Sequence, residues 1–205
     1  MSHKEILTDE QFNLLPLIKL FSGDFGLVGG TAIALHLGHR RSIDFDLFSL
    51  KEFDNQKIRR KIVKFSKINQ IIRDETDQFT LLIKDVRLTF LHYSYPIIFS
   101  NNFENIIKFS DLPTLAAMKA FALGRRAKWK DYVDLYFVAR QYDGIRKICK
   151  KAQEIFGNEF NEKLFRSQLA YFEDINYSEA ITFMPGFEIS DEKIKQALID
   201  FSLKI

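Results

Sequence analysis

The stretch GGTAIALHLGHRRSIDFDLF, residues 29–48, constrains the fold more than any other part of the chain. Ile43, Phe45 and Leu47 alternate with Asp44 and Asp46, which is the period of a β-strand. The apolar trio is expected to face a core, and the two carboxylates the opposite side, with Cα atoms about 7 Å apart. Same-face carboxylates at that spacing repel and raise each other's pKa unless a cation neutralises them. Hard oxygen ligands of this kind suit Mg²⁺, which takes one or two carboxylates together with substrate phosphates, and Mn²⁺ accepts the same oxygen donors. Upstream, Phe25 to Val28 predicts a short apolar strand, and Thr31 to Leu37 a short helix whose start is flanked by Gly29 and Gly30. Such a helix start offers free N–H groups to a phosphate. A Gly-Gly pair alone is a turn, and an Asp-x-Asp alone is a solvated strand face. Their order and closeness predict a site for a metal-bound nucleotide.

The rest of the chain predicts an α+β arrangement. Thr8 to Phe21 has helix spacing, with Asp9 and Glu10 in the first turn. Asp54 to Lys67 predicts a basic amphipathic helix, with Ile58, Ile62, Val63 and Phe65 as its apolar set. Asn69 to Asp74, Phe79 to Lys84 and Val86 to Tyr93 predict an antiparallel meander, and Pro96 closes the sheet region. From Asp111 the pattern is helical to Ile205. Asp111 caps a helix that Gly124 ends, Trp129 to Tyr142 makes the next, and Gly144 opens another through Phe156. The boundary falls near residue 110, giving a core over residues 1–110 and a helical half over 111–205 packed on it.

With 205 residues and 46% apolar side chains, the chain can bury one substantial core. The single cysteine, Cys149, excludes an internal disulfide and a thiolate metal cluster. No apolar run reaches about 18 residues and the N-terminus lacks a secretory pattern, so a soluble, cytoplasmic protein without membrane partners is expected. A formal charge of +3 is too small to argue for nucleic acid by itself. Two local clusters say more: Lys57, Arg59, Arg60, Lys61, Lys64 and Lys67 on one helix, and Arg125, Arg126, Lys128 and Lys130 in a loop. Each is either a solvated face or an electrostatic footprint for phosphates or RNA. His36 and His39 fit structural residues better than ligands.

Leu112, Leu115, Ala116, Lys119 and Leu123 share one helix stripe. The Lys119 ammonium then either snorkels to water along its packed stem or points into the cleft between the halves, where it would neutralise phosphate oxygens. In the next helix Asp131, Asp134, Leu135 and Val138 share a face, and Asp131 lies near the helix start, where an acid meets the macrodipole favourably.

The run at 29–48 resembles the signature GG-[TS]-A-x-A-L-x-x-G-H-R-x-S-x-D-[FI]-D-L-F of the AbiEii/AbiGii toxin family of nucleotidyltransferases, within the polymerase-β-like fold. Gly29, Gly30, Thr31, Ala32, Gly38, His39, Arg40, Ser42, Asp44, Asp46, Leu47 and Phe48 match it. The segment MKAFALGRRAKWKDYVDLYF resembles the family's second block, through Lys119, Ala122, Leu123, Arg126, Asp131, Asp134 and Leu135. The similarity covers about residues 25 to 140. It implies an NTP-dependent transferase with a sheet-and-helix nucleotidyltransferase core followed by an all-α half. Asp44 and Asp46 would hold Mg²⁺ or Mn²⁺, and Gly29, Gly30, Thr31, Arg40, Ser42 and Lys119 would bind the nucleotide. By the resemblance Asp131 would act as base or orient the acceptor, which would be a tRNA 3′ end or a protein hydroxyl, and a cognate antitoxin would be a partner. In one respect the chain departs from the pattern. Polymerase-β-like enzymes usually carry a third carboxylate on a neighbouring strand, and the slot for it here is Thr89, with His92 facing away. Either Asp131 substitutes, a second metal is absent, or activity is weakened. Two other functions stand beside this one: an inactive nucleotidyltransferase-like binding module, which the absent third carboxylate supports, and a small-molecule (antibiotic) nucleotidyltransferase, against which the helical half lacks a rich acidic cluster for a cationic substrate.

Overall fold

The computed structural model describes residues 2–123 and 125–204. Helix α1 (Asp9–Lys19) starts at a reciprocal cap: Thr8 Oγ1 accepts from the Gln11 amide, and Gln11 Oε1 from the Thr8 amide. Strand β1 (Gly26–Val28) then turns directly into α2 (Gly29–Leu37), and β2 (Phe45–Ser49) returns antiparallel to β1. Helix α3 (Asn55–Val63) precedes the predicted meander, which forms as β3 (Gln70–Glu75), β4 (Gln78–Ile83) and β5 (Val86–His92).

The sheet does not close at Pro96. Two three-residue strands follow, β6 (Asn101–Phe103) and β7 (Ile107–Phe109), and β7 pairs parallel with β1. The tight turn between them sets Glu104 and Asn105 at positive φ and lets Phe103, Ile107 and Phe109 bury. The result is one mixed seven-stranded sheet in the order β3-β4-β5-β2-β1-β7-β6. The carboxylate strand β2 is therefore central, flanked by β1 and β5.

The helical half comprises α4 (Leu112–Leu123), α5 (Trp129–Gln141), α6 (Arg146–Phe156), α7 (Glu162–Leu169) and α8 (Asp191–Leu203). The predicted stop at Gly124 and the terminal Ile205 lie outside the described residues. Helix does not run throughout: residues 170–190 form an irregular strap. It is tied by backbone bonds from Asn176 N to Ala127 O (2.7 Å), Arg41 N to Thr182 O (2.8 Å) and Met184 N to His39 O (3.0 Å). Helix α2 packs against both α4 and α5, and a single buried apolar cluster runs from the sheet through the helices. On the far side of the sheet the Phe90 ring meets Phe21 and Phe25 at centroid distances of 4.8 and 5.3 Å. Strand alternation then sends Arg87, Thr89 and Leu91 to the other face, toward the helical half. Among the described residues no helix is long and apolar enough to cross a membrane.

Candidate active site

Strand β2 supplies the centre of the site. Phe45 and Leu47 are buried on one side, and Asp44 and Asp46 line a cleft on the other. Ile43 departs from the predicted alternation. It is 51% exposed, because the strand begins only at Phe45 and the chain before it has left the sheet. Asp44 accepts a bond from Arg87 Nη2 and lies 4.0 Å from Lys130 Nζ. Asp46 accepts no hydrogen bond from any described residue, although it pairs in register with Val28 and Thr89. Burial pushes its carboxyl up, as does the adjacent Asp44 charge, while Lys119, Lys130 and Arg87 pull the other way without cancelling the rise.

Glycine is required at the turn into α2. Gly29 has φ +73°, and a Cβ there would collide with the Asp46 carboxylate. A Cβ on Gly30 would stand 2.6 Å from Arg40 Nη2. The glycines thus admit a carboxylate and a guanidinium to the helix start, and both also line the cleft. Ser42 lines it too, with its Oγ donating to Thr31 Oγ1 at 2.9 Å.

Two of the predicted nucleotide contacts are corrected. The Thr31 side chain is buried and ties α2 to the chain entering β2, donating to the Asp44 carbonyl and accepting from the Ser42 hydroxyl. Arg40 is buried away from the cleft wall. Its Nε and Nη2 fork onto Asp134 Oδ1 and Oδ2 at 2.7 and 2.8 Å, and Nη1 donates to the Arg41 carbonyl at 2.9 Å. Three of its five N–H donors are so engaged, and the group is 4% exposed and does not line the cleft.

Asp134 of α5 is the hub of a buried charge cluster that joins the two halves. Besides Arg40, it accepts from His39 Nε2 at 2.8 Å and pairs with Lys119 Nζ at 3.0 Å. Lys119 also donates to Asp131, whose second oxygen takes Arg126 Nε at 3.1 Å. Burial pushes the Asp134 carboxyl up, but Arg40 and Lys119 outweigh it and hold the group well below the usual carboxylate range. Burial likewise works against the Lys119 charge, and Asp131 and Asp134 more than restore it, so the ammonium stays charged. His39 is driven down by burial and remains a neutral imidazole. Asp134 can only accept, so Nε2 carries the proton, and buried Nδ1 has no partner among the described residues.

Lys119 reaches the cleft wall from α4. Asp131 does not line the cleft: it is fully buried behind Lys119, with both oxygens engaged. Burial raises its carboxyl, and Lys119 and Arg126 bring it below its ordinary value. A carboxylate so held is a poor proton acceptor, which corrects its expected role as base. Nor does it complete a three-acid metal site, since no group of three or more Asp, Glu, His or Cys suited to a metal exists among the described residues.

The cleft measures about 780 Å³, within the range that holds nucleotide-sized ligands. Against two acids, Asp44 and Asp46, it presents seven cations: Arg73, Arg87, Lys119, Arg125, Arg126, Lys128 and Lys130. The basic loop seen in the sequence therefore faces the cleft. The basic residues of α3 are instead exposed on the molecule's surface, away from the cleft lining. At one end of the cleft Phe48, Tyr93, Tyr95 and Phe121 form an aromatic chain with successive centroids 5.1, 5.3 and 5.4 Å apart. Arg125 lies over the Phe121 ring at 4.4 Å. From the strap, Glu179 accepts from Lys128 at 2.5 Å and also from Lys130; burial raises its carboxyl, and these lysines bring it down to about 2.

Arg87 and the aromatic chain were not singled out in the sequence, and Lys130 only as part of the basic loop. Arg87 was visible there in principle, since it stands two residues before Thr89 on a strand and so shares its face. Divalent-metal chemistry fits the donors present. The Asp46 carboxylate is hydrogen-bonded by no described residue and lies beside Asp44, just before the strand, in a cleft whose cations suit phosphates as the remaining ligands.

No protein-family model matches the chain. A curated relative, the uncharacterised protein aq_aa25 of Aquifex aeolicus (strain VF5), is 30% identical over 187 residues, covering 87% of this chain and 88% of its own. The chain belongs to one family with that protein. Among solved structures it is similar to a candidate nucleotidyltransferase from Helicobacter pylori, with a TM-score of 0.60 and 18% identity, over 95% of this chain and 92% of that one. It is also similar to MenT4, a nucleotidyltransferase toxin from Mycobacterium tuberculosis H37Rv, with a TM-score of 0.60 and 11% identity, over 95% and 80%. The antibiotic-resistance factor ANT(2'')-Ia superposes with a TM-score of 0.52 and 14% identity, over 72% and 92%. The fold is that of the nucleotidyltransferases.

Proposed function

We propose that the chain is a metal-dependent nucleotidyltransferase that moves a nucleoside monophosphate from an NTP to an acceptor hydroxyl and releases pyrophosphate. One observation carries this: two adjacent carboxylates, one without a hydrogen-bonding partner among the described residues, face a nucleotide-sized cleft that seven described cations line. Such a transfer depends mostly on positioning and charge stabilisation during an in-line displacement. Asp44 and Asp46 would hold Mg²⁺ or Mn²⁺, which when bound polarises the phosphate under attack.

The chain's own groups do the remaining work. Lys119 has three donors, two of them committed to Asp131 and Asp134, and presents the third to a phosphate oxygen. Asp131 and Asp134 fix that ammonium in place and keep it charged. Gly29, Gly30 and Ser42 bring the α2 start to the same wall. As the acceptor oxygen forms its bond to phosphorus and the bond to pyrophosphate breaks, the hydroxyl proton leaves. Both cleft acids would serve as ligands to the metal, so the proton passes to water in the cleft.

The two matched sequence blocks support membership of the AbiEii/AbiGii type and the role of toxin in a toxin–antitoxin or abortive-infection pair, with a tRNA 3′ end or a protein hydroxyl as acceptor. The fold shared with MenT4 agrees with this. An antibiotic substrate of cationic character is disfavoured by the seven cations of the cleft. A second function, nucleotide binding without turnover, is favoured by one fact: Thr89 stands in register beside Asp46, where a third acid would complete the metal site. Each of the four radiolabelled NTPs, supplied with Mg²⁺ and with total tRNA or protein extract, separates these functions. Label transfer with pyrophosphate release, lost in Asp46→Asn, is expected. Tight nucleotide binding with no release under any combination would establish the binding module instead.

A further inference from the structure

The two site carboxylates are neutralised unequally. The Asp46 carboxylate has no hydrogen-bonding partner among the described residues, whereas Asp44 holds the Arg87 guanidinium directly and has Lys130 at 4.0 Å. The two cations differ in freedom. Lys130 is 16% exposed and bound to Glu179, so its position is set by the strap. The Arg87 side chain is 35% exposed, lies at the cleft wall, and makes no other hydrogen bond among the described residues. A guanidinium in that position competes with a divalent cation for Asp44 and repels it through like charge. The same group has a fork that matches phosphate oxygens bidentately.

We propose that Arg87 is a displaceable counter-ion: it holds Asp44 until a metal-bound nucleoside triphosphate arrives, then passes to the phosphates, so that metal and nucleotide enter together. This rests on the nucleotidyltransferase reading above and adds to it an order of binding. Before the ligand arrives, Arg87 and Lys130 balance part of the carboxylate pair's charge, and a bare divalent cation would bring two further positive charges among the cleft's seven cations. A nucleoside triphosphate carries about four negative charges, so its complex with the metal is anionic. That complex gives the released guanidinium a new partner. One residue thereby acts with opposite sign on the two ligands: it weakens binding of the metal alone and strengthens binding of the nucleotide.

The test is a Mn²⁺ titration followed by electron paramagnetic resonance, on wild type, Arg87→Met, Arg87→Lys and the double variant Arg87→Met/Asp44→Asn. It is run without nucleotide and then with the α,β-methylene analogues of the four NTPs, after melting curves confirm that each variant folds. Arg87→Met should bind Mn²⁺ alone about tenfold more tightly than wild type, the effect of removing one close unit charge in a partly hydrated cleft. It should bind the Mn²⁺-analogue complex about tenfold more weakly. Arg87→Lys should stay near wild type for Mn²⁺ alone, and the double variant should lose the gain, because Asp44 is where Arg87 acts. Equal or weaker Mn²⁺ affinity in Arg87→Met, or unchanged analogue affinity, overturns the counter-ion role. In either case a wild type that still takes up Mn²⁺ with the analogue leaves the nucleotidyltransferase reading standing. No Mn²⁺ uptake by any protein, with or without analogue, overturns the metal site itself.

Discussion

Replacing Asp134 with asparagine removes one charge and almost no volume from the middle of the molecule. In the native protein that carboxylate accepts from His39 Nε2 at 2.8 Å, from Arg40 Nε and Nη2 at 2.7 and 2.8 Å, and from Lys119 Nζ at 3.0 Å. Arg40 and Lys119 are 4% and 5% exposed, so neither can recover the loss from water. Asparagine retains one acceptor oxygen and turns its amide donors toward cations. Breaking a buried pair by removing one partner costs about 3–5 kcal/mol. At about 2–4 °C per kcal/mol for a chain of this size, the melting temperature should fall by roughly 6–20 °C. Urea unfolding and calorimetry at pH 7 measure this.

The pH dependence gives a second reading of the same substitution. The Asp134 carboxyl is held well below its ordinary value in the fold, because Arg40 and Lys119 outweigh the effect of burial. Its contribution is therefore fully present above the unfolded pKa, about 3.9. It is lost as pH falls through the lower folded value. The difference between wild type and Asp134→Asn should be constant from about pH 5 to 8 and shrink below about pH 4. A difference under ~1 kcal/mol at pH 7, or one that grows on acidification, refutes the assignment of Asp134 as the charged hub.

Asp46→Asn should act in the opposite direction on stability. Its folded carboxyl is raised, by burial first and Asp44 second, so the charge costs stability above the unfolded pKa and nothing below it. The metal-free variant should melt higher than wild type at pH 7 and equally near pH 3, while transfer is lost; a lower Tm at pH 7 contradicts this. Gly29→Ala should lose about 1–3 kcal/mol in urea unfolding and most nucleotide transfer, because φ is +73° and the new methyl meets Asp46. Thr89→Asp should lower Tm without metal and raise Mn²⁺ affinity, with Mn²⁺ restoring the Tm. Unchanged Mn²⁺ affinity would show that the position beside Asp46 is not a ligand slot.

What could be read in the sequence was local. The run at 29–48 put two carboxylates on one face because strand periodicity and a glycine turn act over a few residues, and the β3-β4-β5 meander was legible for the same reason. The strands β6 and β7 were missed because three residues are too few to show alternation. Arg40 was read as a phosphate contact because a sequence shows a charge but not its partner, and Asp134 lies 94 residues away. Asp131 was read as base or as orienting the acceptor on its place in a matched block, and nothing in the sequence could show that Lys119 and Arg126 occupy both of its oxygens. Burial alone decides those two cases, and burial belongs to the tertiary structure.

The position of α2 has a mechanical consequence. Its first residue abuts Asp46, and the two residues just past its C-terminal glycine, His39 and Arg40, are bound to Asp134 on α5. Spreading the sheet from the helical half would mean pulling a guanidinium off a carboxylate in a dry interior, at several kcal/mol. The jaws of this cleft are therefore set at a fixed gap, unlike those of enzymes that close around substrate by hinge bending. The cations that line it are held as well, Arg126 by Asp131, Lys128 by Glu179 and Arg125 over the Phe121 ring. A molecule built this way selects its ligand by aperture and charge before contact, and stores no closing motion to be triggered afterwards.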